Sequence, residues 1–192
     1  MNVKTGLKTL ALTSALAATP LMAADYVIDT QGAHAFVQFK ISHLGYSYVL
    51  GRFNDFEGNF TWDKNNPEAS SIEVNIDPAS VDTNHAERDQ HIRSDDFLDV
   101  SNYAQASFVS TGYEVTGEGE GVMTGDLTLM GETRSIEIDV EKVGEGEDPW
   151  GGYRVGFTGT TEIHLPDYGI NFNLGPAAET VEMELVVEGV RQ

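Results

Sequence analysis

His85, Asp89 and His91 are the residues whose types and spacing most readily suggest chemistry. Imidazole and carboxylate ligate divalent metals, and His85 and Asp89 stand four apart, on one face of a helix. His91 is six residues from His85 and projects elsewhere, no H-E-x-x-H occurs, and no second ligand cluster follows. Spacing therefore favours polar pairing on a helix surface, with no metal and no cofactor assigned. Nucleophilic patterns are weaker. Ser47, within Gly45–Val49, lacks the second glycine of a nucleophile elbow. The glycine runs at 117–121 and 144–146 miss the G-x-G-x-x-G spacing and are interleaved with Glu, which repels phosphate. Paired carboxylates could hydrolyse a glycoside, but among 31 acidic residues any pair is uninformative. No residue is assigned a catalytic role.

The polar stretch from Ser80 to Asp99 holds more. Arg88 and Arg93 lie among Glu87, Asp89, Asp95, Asp96 and Asp99 in a chain with only 11 basic residues. One reading is a salt-bridged plug joining a helix to the rest of the fold through bidentate Arg–carboxylate pairs; the other is a polar rim beside a cavity.

The elements that must position these residues are mostly strands. Val37, Phe39 and Ile41 alternate with Gln38, Lys40 and Ser42; Ile72–Ile76, Ile136–Val140 and Val181–Leu185 alternate in the same way with acidic or polar residues. That period marks half-buried strands. Further strands are expected at 51–62, 107–115, 122–130 and 153–165. In the first, the apolar phase passes from Phe53 to Phe56, Phe60 and Trp62, which predicts a β-bulge near Asn54–Asp55. Turn signals fall at 65–67, 117–121 and 144–152. One segment breaks the pattern: Asn84 followed by Glu87 resembles a capping box, predicting a short helix over 84–92 and a further turn near 95–98. About eight strands, short loops and one helix point to an antiparallel barrel or sandwich. Eight strands can enclose one small ligand. The aromatic residues on the strands either line such a cavity or fill a solid core.

Composition narrows the partners. The 192 residues carry 31 acidic against 11 basic side chains, a net charge of −20. Such a surface excludes nucleic acid and disfavours long-range attraction to anionic lipid. The absence of cysteine removes disulfides, thiolate metal sites and cysteine nucleophiles. Lys4 and Lys8, an apolar run over 10–18 and small residues at Ala23 and Ala24 read as a secretory signal peptide over 1–23, leaving a domain over 24–192. Cleavage removes two lysines and no acid, so the exported chain is the more acidic one. No stretch is long enough to span a membrane as a helix. Export without cysteine suits a bacterial periplasm.

The run Ser80–Asp99 closely resembles the signature of the YceI-like family of periplasmic lipid- and polyisoprenoid-binding proteins. Blocks at His34–Gly45 with Gly51–Phe53 and Phe56–Gly58, at Gly125–Thr133 and at Asp148–Phe157 resemble it too, in order and across the whole chain after the leader. Tyr103-Ala104 departs from the usual Tyr-Pro and bears only on a local turn. The resemblance implies a mainly β fold: a lipocalin-like, extended eight-stranded antiparallel β-barrel with an inserted short α-helix, holding a long isoprenoid or acyl chain without established catalysis. It implies cavity lining by Val37, Phe39, Ile41, Phe53, Phe56 and Phe60; strand phase adds Phe108, Leu127, Leu129 and Phe157. Arg88, Asp89, His91, Arg93, Ser94 and Asp96 match the signature, for which the family supplies no settled role. An enzyme acting on such a lipid through His85, Asp89 and His91 is the alternative.

Burial of a chain ligand contributes roughly 0.8 kcal/mol per CH₂, so about ten carbons supply about 8 kcal/mol before entropic costs, enough for micromolar binding without a charged anchor. So acidic a protein discourages a diphosphate unless Lys40, Arg52, Arg88 or Arg93 gathers at the mouth, so a quinone-, phenol- or amide-like headgroup is expected over phosphate. The oligomeric state stays open, a homodimer included.

Overall fold

The computed structural model describes residues 23–172 and 175–192. The segment 1–23, expected from the sequence to be a leader, lies outside the described residues except for Ala23. Eleven strand segments form one antiparallel system: β1 (Ala24–Ile28), β2 (Phe36–His43), β3 (Ser47–Phe53), β4 (Phe56–Trp62), β5 (Ser71–Ile76), β6 (Val81–Asp82), β7 (Ala106–Gly117), β8 (Glu120–Leu129), β9 (Glu132–Glu147), β10 (Tyr153–His164) and β11 (Thr180–Arg191). The helix α1 (Ala86–Ile92) lies between β6 and β7 in the chain.

Register reduces the eleven segments to eight staves. β1 and β2 lie end to end along one edge of β11, through Tyr26 opposite Arg191 and Phe36 opposite Val186. β4 and β3 pair with them in turn, and β5 and β6 with β4 and β3. With β7 to β11 these three interrupted staves close an eight-stranded antiparallel barrel.

Each interruption has a local cause. The β1–β2 break is a loop in which Asp29 Oδ1 accepts from Gly32 N at 2.8 Å. The β3–β4 break falls at Asn54–Asp55, where the phase shift predicts a bulge within one strand over 51–62; the strand instead ends at Phe53 and a second begins at Phe56. There Asn54 N donates to Ser80 O and Asp77 N to Asp55 O, at 3.2 and 2.9 Å. The β5–β6 break is a 3₁₀ turn over Pro78–Ser80, whose proline has no N–H to give a ladder. On the edge turned towards β5 and β6, β7 pairs with β5 alone, over Ala106–Val109, so no strand flanks β6 on that side among the described residues; α1 and the turns after it occupy the connection.

Alternation places the charge. On β9 Ile136, Ile138 and Val140 turn inward while Glu137, Asp139 and Glu141 are exposed. The inward residues form three packed groups. Tyr26, Phe60, Trp62 and Val155 close one end, with Tyr26 and Phe60 stacked at 5.0 Å. Phe108, Met123 and Ile138 sit along the wall, and Ile163, Tyr168 and Val181 stand towards the other end.

Two local expectations are corrected. The helix starts at Ala86 with His85 as its N-cap, not Asn84: His85 Nδ1 accepts from Arg88 N at 3.2 Å. Asn84 instead takes a left-handed φ of 60° and gives its N–H to Asp82 Oδ1, which uses it as a turn residue. The turn expected over 144–152 is shorter, because β9 continues to Glu147; Asp148 closes the turn by accepting from Trp150 N and Gly152 N.

Candidate functional site

The barrel encloses a cavity of about 470 Å³. Its walls are almost wholly apolar: among the described residues no acid lines it, and His43, Arg88 and Tyr113 are its only ionisable neighbours. Acids on the same strands, such as Glu57, Glu73, Glu137 and Glu182, are exposed on the far side. The packed rings of Phe60, Trp62 and Phe157 form a floor, with Phe157 edge-on to Phe60 at 5.9 Å and to Trp62 at 5.0 Å. At the other end the lining reaches exposed His43 and half-buried Ile41, Val49 and Phe97, so the mouth is there.

Val37, Phe39, Ile41, Phe53, Phe56, Phe60, Phe108, Leu127, Leu129 and Phe157 all stand on this wall. Sequence reasoning did not name Trp62, Ile72, Val74, Ile138, Met183 and Leu185 as lining, though they share it. The signal was in hand, since each is on the apolar phase of a strand recognised by its alternation.

The rings do not fill the lumen, and glycines explain part of this. Phe39 pairs with Gly51 across β2 and β3, and its ring lies where a Cβ on Gly51 would be. Phe108 lies over Gly125 on β8 in the same manner. Each ring lies against the sheet in space that any larger residue would occupy. One hydroxyl on the wall, Ser70 Oγ, is buried with no hydrogen-bond partner among the described residues.

The polar signature segment has a different construction from the expected salt-bridged plug. Arg93 donates from Nε to Ala79 O at 2.6 Å and from Nη2 to Val81 O at 2.7 Å. Arg88 donates from Nε to Thr83 Oγ1 and from Nη2 to Thr83 O, at 2.7 and 2.6 Å. Neither arginine forms an ion pair among the described residues. The cause is backbone supply. The two-residue β6 and the 3₁₀ turn leave carbonyls without ladder partners, and guanidinium forks satisfy them. Asp89, buried, accepts from Thr83 N at 2.8 Å and from the Thr83 hydroxyl. Ser94 Oγ donates to His91 O at 2.7 Å, and His91 Nε2 lies 3.0 Å from Asp96 Oδ2. Of these residues only Arg88 reaches the cavity wall.

His85, Asp89 and His91 are not gathered. His85 caps the helix, Asp89 faces Thr83, and His91 packs edge-on against Phe97 and Phe172 at 5.1 and 5.2 Å. Among the described residues the cluster that could present three metal-ligand atoms is Asp29, His34 and Glu188, which sequence spacing could not reveal because β11 brings Glu188 to the β1–β2 loop. Arg154 Nη1 already lies 2.5 Å from both carboxylates, so a guanidinium supplies the cation there. Asp148 joins through Arg154 Nε at 3.0 Å. Hydrogen bonds from Arg154 and Gly32 hold the Asp29 carboxyl below its usual range. Those from Gly152 and then Arg154 do the same for Asp148.

A closed eight-stave antiparallel barrel around an apolar cavity defines a ligand-enclosing β-barrel of the lipocalin-like kind. Within that class, the YceI-like domain model matches residues 26–189, and the chain belongs to the YceI-like family. A UPF0312 protein of Ectopseudomonas mendocina is 58% identical over 190 residues, covering 99% of this chain and 100% of that one. A Campylobacter jejuni YCEI protein of known structure is 29% identical, covers 80% of this chain and 91% of that one, and superposes with a TM-score of 0.71. A polyisoprenoid-binding domain from Saccharophagus degradans shares the fold, with a TM-score of 0.64, 18% identity and coverage of 89% and 100%.

Proposed function

We propose that this chain is a non-enzymatic periplasmic carrier that holds a long isoprenoid-type or related lipid in its barrel, and that the leader over 1–23 directs its export. The carrying observation is the cavity of about 470 Å³, whose lining contains no acid although the chain has 31. An interior this size and this apolar suits a flexible hydrocarbon chain, which gains affinity from each buried CH₂ and needs no polar anchor. The Saccharophagus domain, described as polyisoprenoid-binding, shares the fold and supports the same cargo class. Headgroup preference follows from the same wall: with so few polar atoms inside and acids outside, a neutral quinone-, phenol- or amide-like head is favoured over a diphosphate.

Native mass spectrometry of protein released gently from the periplasm of its own host tests both parts. The expected spectrum carries a neutral prenyl lipid on the chain lacking its leader. A co-purified prenyl diphosphate overturns the headgroup preference. A chain that emerges empty and takes up no farnesol from solution overturns the carrier reading.

A further inference from the structure

The β2–β3 hairpin stands out at the cavity's mouth. The rungs Ser42–Tyr48 and His43–Ser47 extend past Val181, the last β11 residue that pairs with β2, so the tip overhangs the barrel. Its surface is apolar: Leu44 is 49% exposed, Tyr46 88%, Tyr48 61% and Leu50 66%. The base of the same hairpin lines the cavity through Ile41, His43 and Val49, so the exposed tip and the mouth are one structure.

Folding accounts for only part of these residue choices: Lys40 Nζ lies over the Tyr48 ring, 4.8 Å from its centroid. The loop Leu44–Tyr46 has positive φ at Leu44 (55°) and Gly45 (76°). Asn, Asp or Gly takes a left-handed position at little cost, whereas leucine there is strained and stays half exposed. Tyr48 and Leu50 lie on a β3 edge that is paired with β6 only at Arg52 and Phe53, where an exposed edge ordinarily carries charge. Charge is distributed accordingly. From Thr30 to Asn54 there is no acid in a chain of net charge −20. Acids on neighbouring elements stay at the hairpin's base and flank: Glu182 meets Lys40 at 2.6 Å, Asp82 meets Arg52 at 3.6 Å, Glu184 stands opposite Gln38, and Glu179 shares a small pocket with Ile41.

We infer that this hairpin is a docking surface for a lipid bilayer, inserting Leu44, Tyr46 and Tyr48 among the headgroups so that the cavity mouth opens at the membrane. Tyrosine suits that interface, with an apolar ring and a hydroxyl that stays hydrated. Attachment is by shallow apolar insertion, because the acidic body provides no long-range attraction to anionic lipid. The purpose assigned to docking, transfer of a chain lipid, rests on the carrier reading above; the surface itself does not.

Flotation with phosphatidylethanolamine–phosphatidylcholine vesicles free of prenyl lipid tests the surface, and farnesol uptake from solution tests the cavity in the same samples. Leu44→Ser with Tyr46→Ser should lower vesicle partition about tenfold, through lost apolar burial, while leaving farnesol uptake intact. Trp150→Ala, an exposed aromatic at the opposite end of the barrel (79% exposed), should change neither. Tyr46→Trp should show blue-shifted emission when vesicles are added. Equal partition of the double variant and the parent, or no partition by the parent, overturns the inference. So does a concentration-dependent dimer that the double variant abolishes without any vesicle binding, which would make the patch a contact between two copies. A parent that docks but takes up no farnesol sinks the carrier reading and leaves the docking surface standing.

Discussion

Arg154 on β10 and Asp29 in the β1–β2 loop, 125 positions apart, meet at 2.5 Å across the place where the first stave is interrupted. The same guanidinium reaches Glu188 on β11 and Asp148 in the β9–β10 turn. One cation thus ties a loop, a strand and a turn over the closed end of the barrel. Replacing it leaves three carboxylates facing one another, two of them largely shielded, at 12% and 7% side-chain exposure. Arg154→Ala should cost roughly 2 kcal/mol, between the values of exposed and buried pairs, read as a lower urea midpoint with an unchanged slope.

That loss should depend on pH in a defined direction. Asp29 and Asp148 are held below the ordinary aspartate value of 3.8 by their hydrogen bonds to backbone N–H groups and Arg154. A carboxyl depressed in the folded state contributes stability that is complete above its unfolded value and is lost as pH falls through the folded one. The stability gap between parent and Arg154→Ala should therefore be constant above about pH 5 and narrow below it. A gap that widens on acidification contradicts this assignment.

The signature segment separates structural from chemical roles by single substitutions. Asp89 is the acceptor for both the N–H and the hydroxyl of Thr83 in a buried setting. Asp89→Ala should cost about 2 kcal/mol by leaving those donors unpaired, and Asp89→Asn, which keeps an acceptor oxygen, should cost less. His85→Ala and His91→Ala each remove a more exposed contact and should stay within about 1 kcal/mol of the parent. All four should retain farnesol uptake. Loss of a lipid-directed turnover in His91→Ala, with the fold intact, would instead revive an enzymatic role.

Much of the barrel is legible before folding because its signal is local. Ile136–Val140 and Val181–Leu185 alternate so regularly that one face must be buried. The shift from Phe53 to Phe56 marks the broken stave at Asn54–Asp55, and strand phase alone places Phe108 and Phe157 on the cavity wall. What escapes depends on register between distant strands. Nothing in the spacing of Asp29, Asp148, Arg154 and Glu188 brings them together; the pairing of β11 with β1 and β10 does. Arg88 and Arg93 look like ion-pair residues because acids surround them in the chain, yet open carbonyls at β6 take their donors. The backbone's unmet hydrogen bonds are invisible until the ladder's end is known.

The lumen's openness depends on glycine as much as on its apolar rings. Gly51 faces Phe39 across the β2–β3 ladder, and a Cβ there would overlap the Phe39 ring and lie 2.8 Å from Thr83 Cγ2. No backbone atom is among these neighbours, so the ring can yield, and the direction open to it is into the cavity. Gly51→Ala should therefore fold with a loss of about 2 kcal/mol while farnesol uptake falls further than stability does. Adding Phe39→Leu removes the displaced ring and should recover both, giving a coupling of about 1 kcal/mol or more between the two positions in a double-mutant cycle. Additive losses would mean that Gly51 matters for strand geometry alone and that the ring's place against the sheet does not hold the cavity open.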